Sequence, residues 1–103
     1  MSEIVVAHDP ERRRYEARIG EEVAGFTEYN LTDELIVFTH TEVDPRFEGR
    51  GVGAAVARFA LDDVRATGER KVLPLCPFIK GWIARHREYL PIVYGAAAST
   101  TGE

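Results

Sequence analysis

The hydrophobic period of this chain changes once, at Asp44-Pro45, and that single change restricts what it can fold into. Before it, apolar and polar residues alternate: Tyr15, Ala17 and Ile19 oppose Arg14, Glu16 and Arg18, the period of two expected of a strand with one buried face. After it, Val52, Ala55, Val56, Phe59, Ala60 and Val64 recur every three or four residues, the spacing of an amphipathic helix, which Gly68 closes. The two regimes meet in a polar, glycine-rich loop that runs to Gly53.

The alternating half predicts four strands: the run Ile4 to Ala7, stopped by Asp9-Pro10; the run around Tyr15 to Ile19; Glu22 to Asn30; and Leu35 to Val43. Gly20-Glu21 and Thr32-Asp33-Glu34 suit hairpin turns, so the strands form an antiparallel meander. Beyond the first helix, Lys71 to Leu75 is a short strand. Pro77 opens a second helix whose one face carries Ile79, Trp82, Ile83 and His86. A strand, a crossover helix and a strand favour a parallel pair. The expected class is therefore α/β (α+β): a mixed sheet made of a four-stranded antiparallel meander, then helix, parallel strand and C-terminal helix. A chain of 103 residues holds one domain, expected over 1–95, with 96–103 as a flexible tail.

Composition narrows the partners. A net charge of -4 without clustered Lys or Arg argues against nucleic acid. Cys76, the single cysteine, cannot form an internal disulfide, and three scattered histidines beside it lack the spacing of a metal site. Met1-Ser2-Glu3 does not open a signal peptide, and no apolar stretch approaches membrane-spanning length. The expectation is a cytoplasmic protein, monomer or weak dimer, away from membranes.

The loop Glu48-Gly49-Arg50-Gly51-Val52-Gly53 lies between a strand and a helix, where unpaired backbone N–H groups and the positive end of the helix dipole make an anion site. Glycines let a phosphate touch the backbone and supply positive φ. Arg50 adds a charge-assisted contact. A glycine-made tight turn into the helix is the alternative. No Gly-Lys-Ser/Thr follows at Walker spacing, and a meander strand does not open a dinucleotide-binding unit.

The stretch Thr41-Glu42-Val43-Asp44-Pro45-Arg46-Phe47-Glu48-Gly49-Arg50-Gly51-Val52-Gly53 resembles the pyrophosphate-binding segment of the GNAT superfamily of acetyl-CoA-dependent N-acetyltransferases. Where that segment usually carries Arg or Gln, this chain has Glu48, while Arg46 fits if the loop is read two residues earlier. Together with His40-Thr41-Glu42, Pro74-Leu75-Cys76-Pro77-Phe78 and His86-Arg87-Glu88-Tyr89, the loop is similar to a short subfamily with a cysteine after the last core strand. The resemblance implies acetyl-CoA as co-substrate, held at Thr41, Val43, Glu48, Gly49, Arg50, Gly51, Val52, Gly53 and Tyr89. Its pantetheine arm would run between the strands ending at Val43 and Leu75. The backbone of Thr41 to Val43 would polarise the thioester carbonyl.

Acetylating an amine needs a base, because an amine with pKa near ~10.4 is mostly protonated at neutral pH. Glu42 and His40 lie two apart on a strand, share a face, and are candidates for that role. The alternatives are a hydrogen-bonded His40 packed beside Ile36 and Phe38, and a solvated Glu42. Cys76, just before Pro77, is expected at a helix N-cap, where partial positive charge favours a thiolate nucleophile and an acyl-cysteine route. A small buried thiol is the alternative. Tyr89 is a candidate to protonate departing CoA or touch its adenine end, or else a residue covering the core edge; His86 is expected to be structural. The acceptor is expected to be a small amine, a protein lysine or an N-terminus. Rival functions are a non-catalytic acyl-CoA-binding sensor and, given Glu48, an interaction domain that has lost CoA.

Overall fold

The computed structural model describes residues 3–95, so the expected tail lies outside the described residues. The alternating half forms β1 (Ile4–Asp9), β2 (Arg14–Ile19), β3 (Glu22–Leu31) and β4 (Leu35–Val43), each antiparallel to the next. Then follow α1 (Val52–Thr67), β5 (Lys71–Pro74) and α2 (Pro77–Arg85). β5 lies parallel beside β4, which completes one sheet of order β1-β2-β3-β4-β5. One addition was not legible in the alternation: after a 3-10 turn at Arg87–Ile92, Val93 makes a parallel bridge to Val72, and the Tyr94 N–H donates to the Val72 carbonyl at 2.9 Å.

Both helices pack on one sheet face. Tyr15, Ala17, Phe38 and Val72 from the strands meet Val56, Ala60 and Leu61 of α1 and Ile79 of α2, all buried. Burying an aromatic or branched side chain of this kind contributes about 1.5–3 kcal/mol, which pins the face each strand presents. α1 ends as its sequence requires: Gly68 adopts φ 67, and its N–H reaches the Val64 carbonyl at 3.1 Å. The other sheet face carries Arg14, Glu16, Arg18, Phe26, Glu28, His40 and Glu42, and no helix among the described residues covers it. None of these helices is long and apolar enough to cross a membrane.

A bulge in β4 positions the site. Tyr29 pairs with Phe38 and Glu28 with His40, so Thr39 is one residue too many for its partner strand. Before the bulge Ile36 and Phe38 face the helices; after it Thr41 does. His40 is therefore not packed beside Ile36 and Phe38, as unbroken alternation would have it: one inserted residue reverses the parity and turns it onto the bare face with Glu42.

Two glycines let the start of α1 pack closely, Gly25 against the end of β4 and Gly53 against α2. A Cβ on Gly25 would stand 2.8 Å from both the Glu42 carbonyl oxygen and Val52 Cγ1. One on Gly53 would stand 2.7 Å from the Phe78 ring of α2. Gly53 is thus a packing residue where the two helices begin.

Candidate functional site

The loop between β4 and α1 is fastened at its base. Asp44 accepts the Arg46 N–H at 2.9 Å and holds the Arg46 guanidinium with both oxygens, at 3.2 and 3.0 Å. Arg46 also reaches Glu22 at the start of β3 at 2.6 Å. The hydrogen bonds and charge of Arg46 hold the Asp44 carboxyl below the usual carboxylate range, and the same partners raise Arg46. Arg46, which the family pattern offered as a phosphate ligand, is thereby engaged as a loop strut. Arg50 lies over the Phe47 ring at 5.5 Å.

Above this base the backbone opens. Gly49 and Gly51 have φ of 82 and 83, and a Cβ on either would meet nothing within 4 Å. The left-handed conformation, rather than crowding, is what asks for glycine there. Gly51 is the N-cap of α1 and supplies no side chain to it; no acid lies in the first turn. The first intrahelical bond is Ala55 N–H to the Gly51 carbonyl at 3.0 Å, so the amides of Val52, Gly53 and Ala54 have no intrahelical partner. The exposed Glu48 side chain makes no hydrogen bond or ion pair with the described residues, and its carboxylate does not cap the helix. The positive φ values, the open space and the donor set fit a diphosphate bound by backbone.

Beside the loop, the sheet parts. β5 pairs only with Leu35 to Phe38 of β4. The next two amides, of Leu75 and Cys76, both donate to the Phe38 carbonyl, at 3.0 and 2.9 Å, and the chain turns into α2. Among the described residues, Thr39 to Val43 of β4 therefore have no neighbouring strand on that side. The Asp44 N–H donates to Ala24 of β3 at 2.8 Å; by the alternation of an antiparallel ladder, the backbone groups of Thr41 and Val43 point the other way, into the gap.

Cys76 lies at the floor of this gap on the helix side. It is the N-cap residue of α2, with Pro77 at the first position and its own carbonyl accepting from Lys80 N–H at 3.0 Å. Its side chain is buried, 2% exposed, and Sγ lies 3.1 Å from Thr41 Oγ1. Thr41 Oγ1 is in turn 2.8 Å from Thr27 Oγ1, on a fully buried side chain. Sequence reasoning missed Thr27; the available signal was a hydroxyl at a core-facing strand position beside Tyr15 and Tyr29.

His40 and Glu42 lie on the bare face, with His40 Nε2 2.8 Å from Glu42 Oε2, both half-exposed or more. Neither is hydrogen-bonded to the thiol. Next to them, Phe26 is flanked by His40 and by Arg14, whose guanidinium lies 4.7 Å from its ring centre. Burial pushes the Glu16 carboxyl up, but the hydrogen bonds and charges of Arg14 and Arg18 outweigh it and hold the group below the usual range.

Tyr89 is fully buried against α1: its hydroxyl donates to Asp62 at 2.7 Å and accepts from Arg58 at 3.1 Å. Burial, then the Asp62 hydrogen bond and charge, pushes it up to about 12. These partners sit two to three turns along α1 from the glycine loop. His86 stacks on Trp82 with ring centres 3.7 Å apart, and its Nδ1 is 2.9 Å from the Trp82 carbonyl, a packing role.

A family model described as GCN5-related N-acetyl-transferase matches residues 14–92. None of the curated proteins matches the chain. Among solved structures, it resembles a GCN5-like protein from Staphylococcus aureus, with a TM-score of 0.68 and 21% identity over 90% of each chain. It also resembles the ribosomal-protein-S18-alanine N-acetyltransferase from Escherichia coli, with a TM-score of 0.55 and 18% identity over 63% of this chain. The matched part spans 43% of that enzyme's length. At these identities the two structures speak for the fold alone.

Proposed function

The chain belongs to the GCN5-related N-acetyltransferase family, and from that premise we propose that it moves the acetyl group of acetyl-CoA to a primary amine through an acetyl-Cys76 intermediate. The observation that carries this is the juxtaposition of two unsatisfied backbone surfaces. The amides of Val52 to Ala54 behind Gly49 and Gly51 suit the diphosphate, and the Thr41 to Val43 edge suits the amide-rich pantetheine arm. Glu48 and Arg50 flank that cradle, and Tyr89 supports α1 beneath it rather than touching the nucleotide.

In the first step the Cys76 sulfur forms a bond to the acetyl carbon as the bond to the CoA sulfur breaks, and the thiol proton leaves on the CoA sulfur. In the second, the amine nitrogen bonds the acetyl carbon, the bond to Cys76 breaks, and the sulfur recovers a proton. In this reading the acceptor approaches the gap beyond Phe38 from the bare side. With Glu42 accepting from His40 Nε2–H, Nδ1 is left to take the amine proton. The acceptor class is a small amine, a protein lysine or an N-terminus. The reading includes a cytoplasmic setting and one acetyltransferase domain over 1–95.

Intact mass after incubation with acetyl-CoA, with and without an amine panel, tests it. The expected result is one acetyl group on wild type, discharged by amine and absent from Cys76→Ser. Saturable CoA binding with no adduct and no acetylated amine would instead establish a non-catalytic acyl-CoA module.

A further inference from the structure

The bare face of the sheet holds a cleft beside the His40–Glu42 pair. It has a volume of about 200 Å³ and is lined by Val23 and Phe26 of β3, Glu42 of β4, and Asp44 and Pro45 where the loop to α1 begins. Phe26 stands directly across from Glu42, so the cleft runs from that pair toward the loop, while Glu28 lies across from His40 in the opposite direction. The Phe26 ring is held in place: the Arg14 guanidinium lies 4.7 Å from its centre and the His40 ring 6.1 Å away. Val23, Phe26 and Pro45 make the wall of the cleft apolar.

Charge around the cleft is matched internally, with one exception. Asp44 gives both oxygens to Arg46, Glu22 takes the same guanidinium at 2.6 Å, and Glu16 is held by Arg14 and Arg18. Glu42 spends Oε2 on His40, 2.8 Å away, and its Oε1 has no partner among the described residues. One carboxylate oxygen is therefore left for a cation at the His40 end. Further from His40 a cation meets other cations: Arg14 over Phe26, Arg18 across from Val23, and Arg46 on Asp44.

We propose that this cleft is the acceptor subsite and that it selects a small primary monoamine with an apolar body. The ammonium sits at Glu42 Oε1 beside His40, and the hydrocarbon lies on Phe26 against Val23 and Pro45, which makes Phe26 a specificity-determining residue. A second ammonium at the far end of the chain meets three guanidinium groups and no free carboxylate, so a diamine of the same length is a poor acceptor. A lysine within a basic segment meets the same three cations. Turnover of the amine rests on the acetyl transfer proposed above; occupancy of the cleft does not.

The test pairs binding with turnover. Pentylamine titrated into the nitrogen-labelled protein without coenzyme should give saturable amide shifts at Val23, Phe26 and Glu42 and leave Gly68 unmoved. At saturating acetyl-CoA, kcat/KM for pentylamine should exceed that for 1,5-diaminopentane and for a lysine-rich peptide by roughly tenfold or more. Phe26→Ala should remove about tenfold from pentylamine, the low end of what an apolar pocket draws from one methylene, and little from methylamine. Val23→Glu supplies a second carboxylate and should turn the preference toward the diamine. A wild type that prefers the diamine or the peptide, a Phe26→Ala loss as large for methylamine as for pentylamine, or amine shifts outside the cleft overturns the proposal while leaving acetyl transfer intact. Shifts at the cleft with no acetylated amine and no Cys76 adduct remove the transfer reading, and the acceptor role with it, while the amine site stands.

Discussion

The two faces of β4 differ in kind within four residues. On the helix side, the half-buried Thr41 joins the buried Thr27 and Cys76 in a chain of hydroxyl and thiol. On the bare side, His40 and Glu42 form an exposed, ionisable pair among charged neighbours. A reaction that needs both a shielded acyl carrier and a wet base to receive an ammonium proton can be divided across one strand in this way. The bulge at Thr39 makes the division, because it sends residues of one alternating series to opposite faces.

The comparison breaks most sharply at Cys76. Cys76→Ala should lower amine acetylation by roughly a hundredfold or more, and abolish the adduct in intact mass, while CoA affinity by calorimetry stays near wild type. Glu42→Gln is the complementary lesion on the other face. It should slow amine acetylation on the order of a hundredfold yet leave the rate of Cys76 acetylation unchanged in a single-turnover experiment. Equal effects on both steps would mean that the two faces do not divide the chemistry.

Glu16 sharpens the contrast through stability. Its folded carboxyl lies below the usual range, so its contribution is present at neutral pH and is lost as pH falls through that lowered value. Glu16→Gln should cost about 2 kcal/mol at pH 7 by urea unfolding and flatten the acid limb of the stability profile. The smallest effect is expected at the loop. Gly51→Ala places a Cβ in open space at φ 83, so the cost is backbone strain of about 1 kcal/mol and a several-fold weaker CoA affinity.

The sequence announces these regions unequally. The meander, the helix ending at Gly68 and the glycine loop were legible because each is a local matter of period two, period 3.6 or positive φ. The bulge was not. Ile36, Phe38, His40 and Glu42 alternate without a break, and Thr39 becomes supernumerary only against Glu28 and Tyr29 of the neighbouring strand. For the same reason the His40–Glu42 pair was foreseen and the face it occupies was not. Arg46 looked like a phosphate ligand until Asp44 and Glu22, the latter more than twenty residues away, were seen to hold it. For Tyr89 the sequence leaves open a contact with the coenzyme or a place covering the core edge, and it is Asp62 and Arg58 that hold its hydroxyl. Such partners are tertiary facts with no local signature.

The central claim is that free backbone groups at two places, the first turn of α1 and the Thr41 to Val43 edge, together receive the coenzyme. Two-dimensional amide NMR of the nitrogen-labelled protein, titrated with CoA, tests it directly. The account predicts saturable shifts concentrated at Val52, Gly53, Ala54, Thr41 and Val43, with the closed end of α1 at Gly68 unmoved. Shifts confined to other surfaces, or none at saturating coenzyme, would contradict it.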